Sequence, residues 1–237
     1  MTDPTNGSTP APLRTRLVVL DMAGTTVADD GLVEQAFDAA ASALGVVRGT
    51  EQHERMVQYV RDTMGESKIS VFRELFGEED AAQRANVAFE AAYHDLVDQG
   101  HCAALPGAED TIRELRKSGL TVVLTTGFSG PTQQRILDAL GWQGLADLVL
   151  CPADAGGRGR PYPDLALAAL LRTRAADDVR ELAVVGDTAY DMRCGASAGA
   201  GVVAGVLTGA HDAERLRGGG ATHVLGSVAE LPALLNG

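Results

Sequence analysis

Arg16 to Thr25 read RLVVLDMAGT: an apolar, β-branched-rich run, a carboxylate, and a glycine within three positions of it. A run without polar alternation has to be covered on both faces, which is the pattern of a parallel strand buried between helix layers. Asp21 then stands at the carboxyl end of that strand, beside the crevice where open α/β sheets bind their ligands. The plainer use of an Asp in such a place is to cap a helix.

The residues that follow do not return to the sheet at once. Helical spacing of apolar residues covers Leu32 to Arg48, Gln52 to Asp62, Ser67 to Phe76 and Glu79 to Gln99, with breaks near Met64-Gly65 and Gly77-Glu78. No strand interrupts them, and the stretch is too long for a simple strand-helix-strand crossover. The reading is an inserted all-helical cap over 30–102, a core built from 15–29 and 103–237, and a flexible tail at 1–14. A length of 237 residues accommodates one core domain with a smaller insert. With 45% apolar and only 4% aromatic residues, the interior is expected to be aliphatic helix-on-sheet packing.

Beyond the cap the chain alternates. Leu120 to Leu124 is a second strand, ending in Thr125, Thr126 and Gly127, and DLVLCPAD is a third, followed by the basic glycine-rich loop GGRGRPYP with Arg158 and Arg160. Glu181 to Asp187 is a fourth strand, and Asp191 follows one helical turn later. Gly201 to Leu207 and Thr222 to Leu225 complete six strands, with a closing helix at Ala229 to Leu235. The expected class is α/β, a parallel sheet with helices on both faces and an inserted helical cap. No GxGxxG opens a helix after a strand, which removes a dinucleotide fingerprint.

A net charge of −12 with scattered Lys and Arg argues against a nucleic-acid surface. Cys102, Cys151 and Cys194 show no CxxC spacing and fit reduced thiols in a cytoplasmic protein. No apolar run is long enough to span a membrane, and the first residues lack a signal-peptide core. His53, His94, His101, His211 and His223 lie outside the acidic constellation and show no metal-ligand spacing, and Trp142 reads as core packing.

Four strand ends thus carry, in order, Asp21, Thr126, an Arg after the third strand, and the pair Asp187 and Asp191. An ionised Asp beside Mg²⁺ suits phosphoryl transfer, in which a nucleophile attacks phosphorus while positive charge gathers around the nonbridging oxygens. Mg²⁺ wants octahedral oxygen ligands, which Asp21, Asp187 and Asp191 can offer. The last of these has a lesser alternative as a helix first-turn carboxylate. The order resembles the haloacid dehalogenase superfamily, whose core is Rossmann-like. The resemblance implies the Ala23 carbonyl as a further metal ligand. It also implies Thr126 and Gly127 as holders of phosphoryl oxygens, and Arg160, with Arg158 in competition, as their neutralising cation.

Within that superfamily, DMAGTT, MGESKI, TTG, GRPYP and GDTAYDM resemble the phosphonoacetaldehyde hydrolases, or phosphonatases. Ordinary phosphatases of the superfamily place an acid two residues past the nucleophile, and here that residue is Ala23. Carbon-phosphorus cleavage expels a carbanion, which needs an electron sink, and an imine between Lys68 and a substrate aldehyde supplies one. Gly24, Thr25, Met64, Gly65 and Phe128 fall at matched positions on the substrate side. Two positions depart: the family's His three residues after the Lys is Val71, and the Tyr after TTG is Phe128. The resemblance implies a small phosphorylated or phosphonate metabolite as substrate, Mg²⁺ as cofactor, and a cap-to-cap homodimer as an option, which the apolar positions of the first cap helix would allow, though they could equally all face inward. The alternatives are a phosphatase for substrates with good leaving groups, in which Lys68 holds an anion or pairs with Glu66, and a non-catalytic ligand-binding relative.

Overall fold

A computed structural model describes residues 14–236; apart from Arg14, the tail expected at 1–14 lies outside the described residues. Six parallel strands form one sheet: β1 (Leu17–Asp21), β2 (Thr121–Thr125), β3 (Leu148–Leu150), β4 (Leu182–Gly186), β5 (Val202–Val206) and β6 (His223–Leu225), in the spatial order β3-β2-β1-β4-β5-β6. The chain winds outward from β1 in both directions, so the carboxyl ends of β1 and β4 flank the point where strand order reverses. Register sets Asp21 opposite Thr125 and Leu20 opposite Val185, so the residues after β2 and β4 emerge beside Asp21.

Strand alternation divides the core. Val18, Leu20, Val122, Leu124, Ala183 and Val185 face one layer, with Ile112 and Leu115 of α5 (Ala108–Lys117) and Ile136 of α6 (Gly130–Leu140). Leu17, Val19, Val123, Leu182 and Val184 face the other, with Leu165 and Ala169 of α7 (Asp164–Thr173) and Cys194 and Ala198 of α8 (Ala189–Ala198). Helices therefore cover both faces, as continuous apolar strands require.

Between β1 and α5 come α1 (Leu32–Ala43), α2 (Glu51–Asp62), α3 (Lys68–Phe76) and α4 (Glu79–Asp98), with no strand among them. Every apolar position of the α1 face, from Leu32 and Val33 to Ala40 and Ala41, is buried within the single chain. The inward option is the one taken. The aromatic residues, few in an interior expected to be aliphatic, are gathered in one place. All five Phe and Tyr93 form one chain of rings, from Phe37 through Phe72 and Phe89 to Tyr93 and then Phe128, which follows β2.

Some boundaries moved. α1 stops at Ala43, with Gly45 at a positive φ of 82°, well short of Arg48. The third strand keeps only three residues because Pro152, which lacks an amide hydrogen, starts a 3₁₀ turn over Pro152–Ala155. A short helix α9 (Ala213–Gly218) was not anticipated, and a 3₁₀ turn precedes α10 (Leu231–Asn236). Cys102, Cys151 and Cys194 are free thiols, and among the described residues no helix is long and apolar enough to cross a membrane.

Candidate active site

Carboxylate oxygens of Asp21, Asp187 and Asp191 all lie within 4.8 Å of one another, and the three residues are buried. Asp21 comes from the end of β1, Asp187 from the residue after β4, and Asp191 from the first turn of α8. Asp191 does both of the things its position allowed. Its Oδ2 accepts from the amide and hydroxyl of Thr188 as half of a capping box, while its Oδ1 meets Arg160 Nε at 2.6 Å. The same guanidinium reaches Asp21 Oδ1 at 2.6 Å and donates to Thr125 Oγ1 at 2.7 Å. Arg158, two residues earlier, turns outward to Asp164 at 3.0 Å and lies over the Tyr162 ring.

Asp187 is held on three sides: its Oδ2 accepts from Ala210 N at 2.7 Å, its Oδ1 from Thr25 Oγ1 at 3.3 Å, and its carbonyl from His211 N at 3.2 Å. Gly24 has φ of 81°, and a Cβ there would run into Asp187 Oδ2, so glycine is required on both counts. Burial pushes the Asp21 carboxyl well above the usual carboxylate range, Arg160 opposes this, and Asp191 and Asp187 add to it. Burial, then Asp191, lifts Asp187 to about 7.

Three desolvated carboxylates that share one guanidinium are short of positive charge. The donor set is all oxygen, and among the described residues the Ala23 carbonyl accepts no hydrogen bond. Hard divalent cations take such sets.

Asp21 and Asp187 open into a cavity of about 540 Å³. Asp21, Ala23, Gly24, Thr126, Gly127, Phe128 and Arg160 line it from the core, and Met64, Gly65 and Lys68 line it from the helical segment. Thr25 does not reach it: the residue is fully buried and its hydroxyl is spent on Asp187, so it positions an acid and leaves substrate to others. Lys68 opens α3, and its Nζ lies 5.5 Å from the centroid of the Phe128 ring. Burial pushes its ammonium below the ordinary lysine range; Asp29 is the strongest charge acting against that, ahead of Asp21. Among the described residues no ion pair closes between Glu66 and Lys68, and burial pushes the Glu66 carboxyl above its ordinary range. Val71 is buried one turn along α3.

The loop from Met64 to Ser67 is seated on the core. A Cβ on Gly65, where φ is 96°, would lie 2.5 Å from Thr188 Oγ1, one on Gly127 would lie 2.9 Å from the Glu66 carbonyl, and one on Gly159 would lie 3.1 Å from Ser67 Cβ.

Several cavity residues escaped the sequence reading. Thr208 and Gly209 follow β5 as Thr126 and Gly127 follow β2, and that repetition was the available signal; Thr208 Oγ1 donates to the Gly24 carbonyl at 2.7 Å. Asp29 also lines the cavity, at the place where an acid ahead of a helix reads as a cap. His211, expected outside the constellation as a surface or core imidazole, is a core one. It is buried against the loop that carries Asp187, and its Nδ1 accepts from Ala189 N at 2.8 Å. Burial lowers its pKa and keeps the ring neutral, as an accepting Nδ1 requires.

Known proteins resemble this chain to differing degrees. The phosphonoacetaldehyde hydrolase of Nitratidesulfovibrio vulgaris is 27% identical over 209 residues, covering 82% of this chain and 72% of that protein. The "Probable phosphatase IndB" of Dickeya dadantii is 26% identical over 205 residues, covering 85% of each. A hydrolase structure from Pseudomonas syringae matches with a TM-score of 0.81 at 24% identity, over 94% of this chain and 98% of its own. A phosphonoacetaldehyde hydrolase-like protein from Oleispira antarctica matches with a TM-score of 0.80 at 23% identity, over 100% and 96%. At those identities the two structures speak for the fold alone. The family model for haloacid dehalogenase-like hydrolases matches residues 15–199, most of the chain, and the chain belongs to that family of enzymes.

Proposed function

We propose that this hydrolase is a Mg²⁺-dependent phosphonatase, cleaving the carbon-phosphorus bond of a small phosphonate that carries an aldehyde or ketone. The observation that carries the reading is a shared cavity: Lys68 and Asp21 line the same space, with the lysine partly buried and its ammonium disfavoured. A lysine kept from its charged form is a nucleophile for a carbonyl, and nothing in simple phosphate-ester hydrolysis needs one.

In this reading Asp21, Asp187, Asp191 and the Ala23 carbonyl would hold Mg²⁺, which when bound lowers the charge on the phosphonate oxygens and keeps Asp21 ionised. Lys68 forms an iminium with the substrate carbonyl. Asp21 Oδ attacks phosphorus, the carbon-phosphorus bonding pair passes into the iminium to give an enamine, and an aspartyl-phosphate forms on Asp21. Arg160, already in contact with Asp21, and Thr126 and Gly127, which line the same cavity, would hold the phosphoryl oxygens. Ala23 is then no defect, because a carbanion leaving into an iminium does not need an oxygen protonated at that position.

The second reading is phosphatase action on a good leaving group such as an acyl phosphate. It draws on Ala23, and on Val71 and Phe128, which leave no imidazole or phenol at positions where phosphonatases carry them. Borohydride trapping with phosphonoacetaldehyde, followed by peptide mapping, separates the two. The expected outcome is a reduced adduct on Lys68 and loss of phosphate release in Lys68→Ala. Phosphate release from acetyl phosphate that survives Lys68→Ala, with no adduct on the wild type, selects the second reading.

A further inference from the structure

Lys68 must give up a proton before it can attack a carbonyl, and the carbonyl oxygen must later leave as water. Both events need a group that takes and returns a proton. The expected positions for one hold Val71 and Phe128, neither of which can exchange a proton. The groups whose charge acts on Lys68 are Asp29, Asp21, Arg160, Asp187 and Glu66. Asp21 is taken up by Arg160 and Asp187 by Ala210 and Thr25, and Asp29 acts on Lys68 more strongly than any other charge.

Its placement suits the task. Asp29 and Lys68 line the same cavity. Asp29 Oδ1 is fixed by Val33 N at 3.2 Å in the first turn of α1, and among the described residues no hydrogen bond ends on Oδ2. No direct ion pair closes between Asp29 and Lys68, so a proton passes between them through one water or through the substrate's own oxygen. Asp29 also lies within the field of Tyr93, whose hydroxyl is buried and unpartnered, and near Asp30 and Glu34. Burial raises the Asp29 carboxyl above its ordinary range and Lys68 counters this, so the two groups are drawn toward each other in proton affinity.

Building on the phosphonatase reading above, we propose that Asp29 is the proton-transfer group for Lys68, taking the ammonium proton before attack and delivering it to the oxygen that leaves as water. The steps balance. The Asp29 carboxylate accepts one proton from the Lys68 ammonium. The neutral amine adds to the carbonyl carbon, a carbon-nitrogen bond forming as the carbon-oxygen π pair moves to oxygen. Asp29 gives its proton to that oxygen while accepting one from nitrogen, which yields the carbinolamine. It then protonates the hydroxyl, the carbon-oxygen bond breaks, water leaves, and the nitrogen lone pair makes the iminium. Lysine ammonium and carbonyl have become iminium and water, with Asp29 again a carboxylate beside the new positive charge.

The test is the rate of reductive trapping on Lys68. Wild-type enzyme with Mg²⁺ is mixed with phosphonoacetaldehyde, quenched with borohydride at timed intervals, and the peptide bearing Lys68 is quantified by mass. Asp29→Asn retains an oxygen for the Val33 amide, so the α1 terminus is kept. The expected result is a fall of about 10²-fold in trapping rate, recovery of part of it in Asp29→Glu, and unchanged melting temperature and vanadate affinity in both. Trapping in Asp29→Asn at the wild-type rate overturns the proposal. So does a loss that Asp29→Glu does not recover, or one accompanied by weakened vanadate binding, since either marks a structural role. Failure of the underlying reading looks different: the wild type itself then yields no adduct, and the imine and the role of Asp29 fall together.

Discussion

Asp187 stands in an electrostatic conflict. It is buried, stands beside two other acids, and has a carboxyl lifted to about 7. A carboxyl whose folded value exceeds its unfolded value of about 4 binds more protons when folded, so its contribution to stability is full below that value and is lost as pH rises through about 7. A divalent cation binds the ionised carboxylates and competes with those protons. The rise in melting temperature on adding saturating Mg²⁺ should therefore be small near pH 5, grow with pH, and level off above about 7. Scanning calorimetry with and without Mg²⁺ across that range measures it, and a rise independent of pH contradicts the assignment. At this scale the sequence was legible wherever a strand end fixed a residue's position, as for Asp21, Thr126 and Asp187. It was not legible where a loop chose between neighbours. Arg158 and Arg160 are two residues apart in a coil, where no periodicity says which turns inward. Thr25 acts through Asp187, and a side chain that acts through another leaves no mark of its own in a one-dimensional pattern.

Among elements, the loop between α2 and α3 decides whether Lys68 reaches the acids. Gly65 sits at φ 96° with its missing Cβ directed at Thr188 Oγ1, and Thr188 is itself bonded to Asp191. A side chain there costs roughly 1–2 kcal/mol in backbone strain alone, and it collides with a hydroxyl that cannot turn away without disturbing Asp191. The loop can escape both by lifting off the core. Gly65→Ala should accordingly lower kcat/KM about tenfold or more, the equivalent of at least about 1.4 kcal/mol, while the melting temperature changes little because the lifted loop relieves the strain. Steady-state kinetics beside a thermal melt tests this; a fall in melting temperature with kcat/KM intact would contradict the seating of the loop. The long helices were readable because their apolar spacing persists over several turns. The helix α9 was not, since six residues with Leu216 alone buried give no periodicity to detect. Capping by Asp212 was the remaining clue.

Over the whole molecule, what joins the helical segment to the sheet is the aromatic chain, and Tyr93 is its last link before the core, 4.6 Å from Phe128 between ring centroids. Composition suggested aliphatic packing, which holds around the sheet. The few aromatic rings instead collect between α1, α3 and α4 and the loop after β2, where large flat side chains fill the space that helices crossing a sheet edge leave. The Tyr93 hydroxyl pays a desolvation cost there, for it is fully buried and has no hydrogen-bond partner. An unsatisfied buried hydroxyl costs about 1–3 kcal/mol, and removing it while keeping the ring preserves every stacking contact. Tyr93→Phe should then stabilise the protein by about 1 kcal/mol, read as a higher denaturation midpoint at unchanged denaturant slope. The same change separates two roles for the phenol. If it only fills the seam, the Lys68 trapping rate stays at the wild-type value while stability rises. If it assists Asp29, whose charge acts on it, trapping slows as stability rises. The isolated position of the hydroxyl, outside the residues that line the cavity, favours the first outcome, so the expected result is a more stable enzyme that forms its adduct as fast as before.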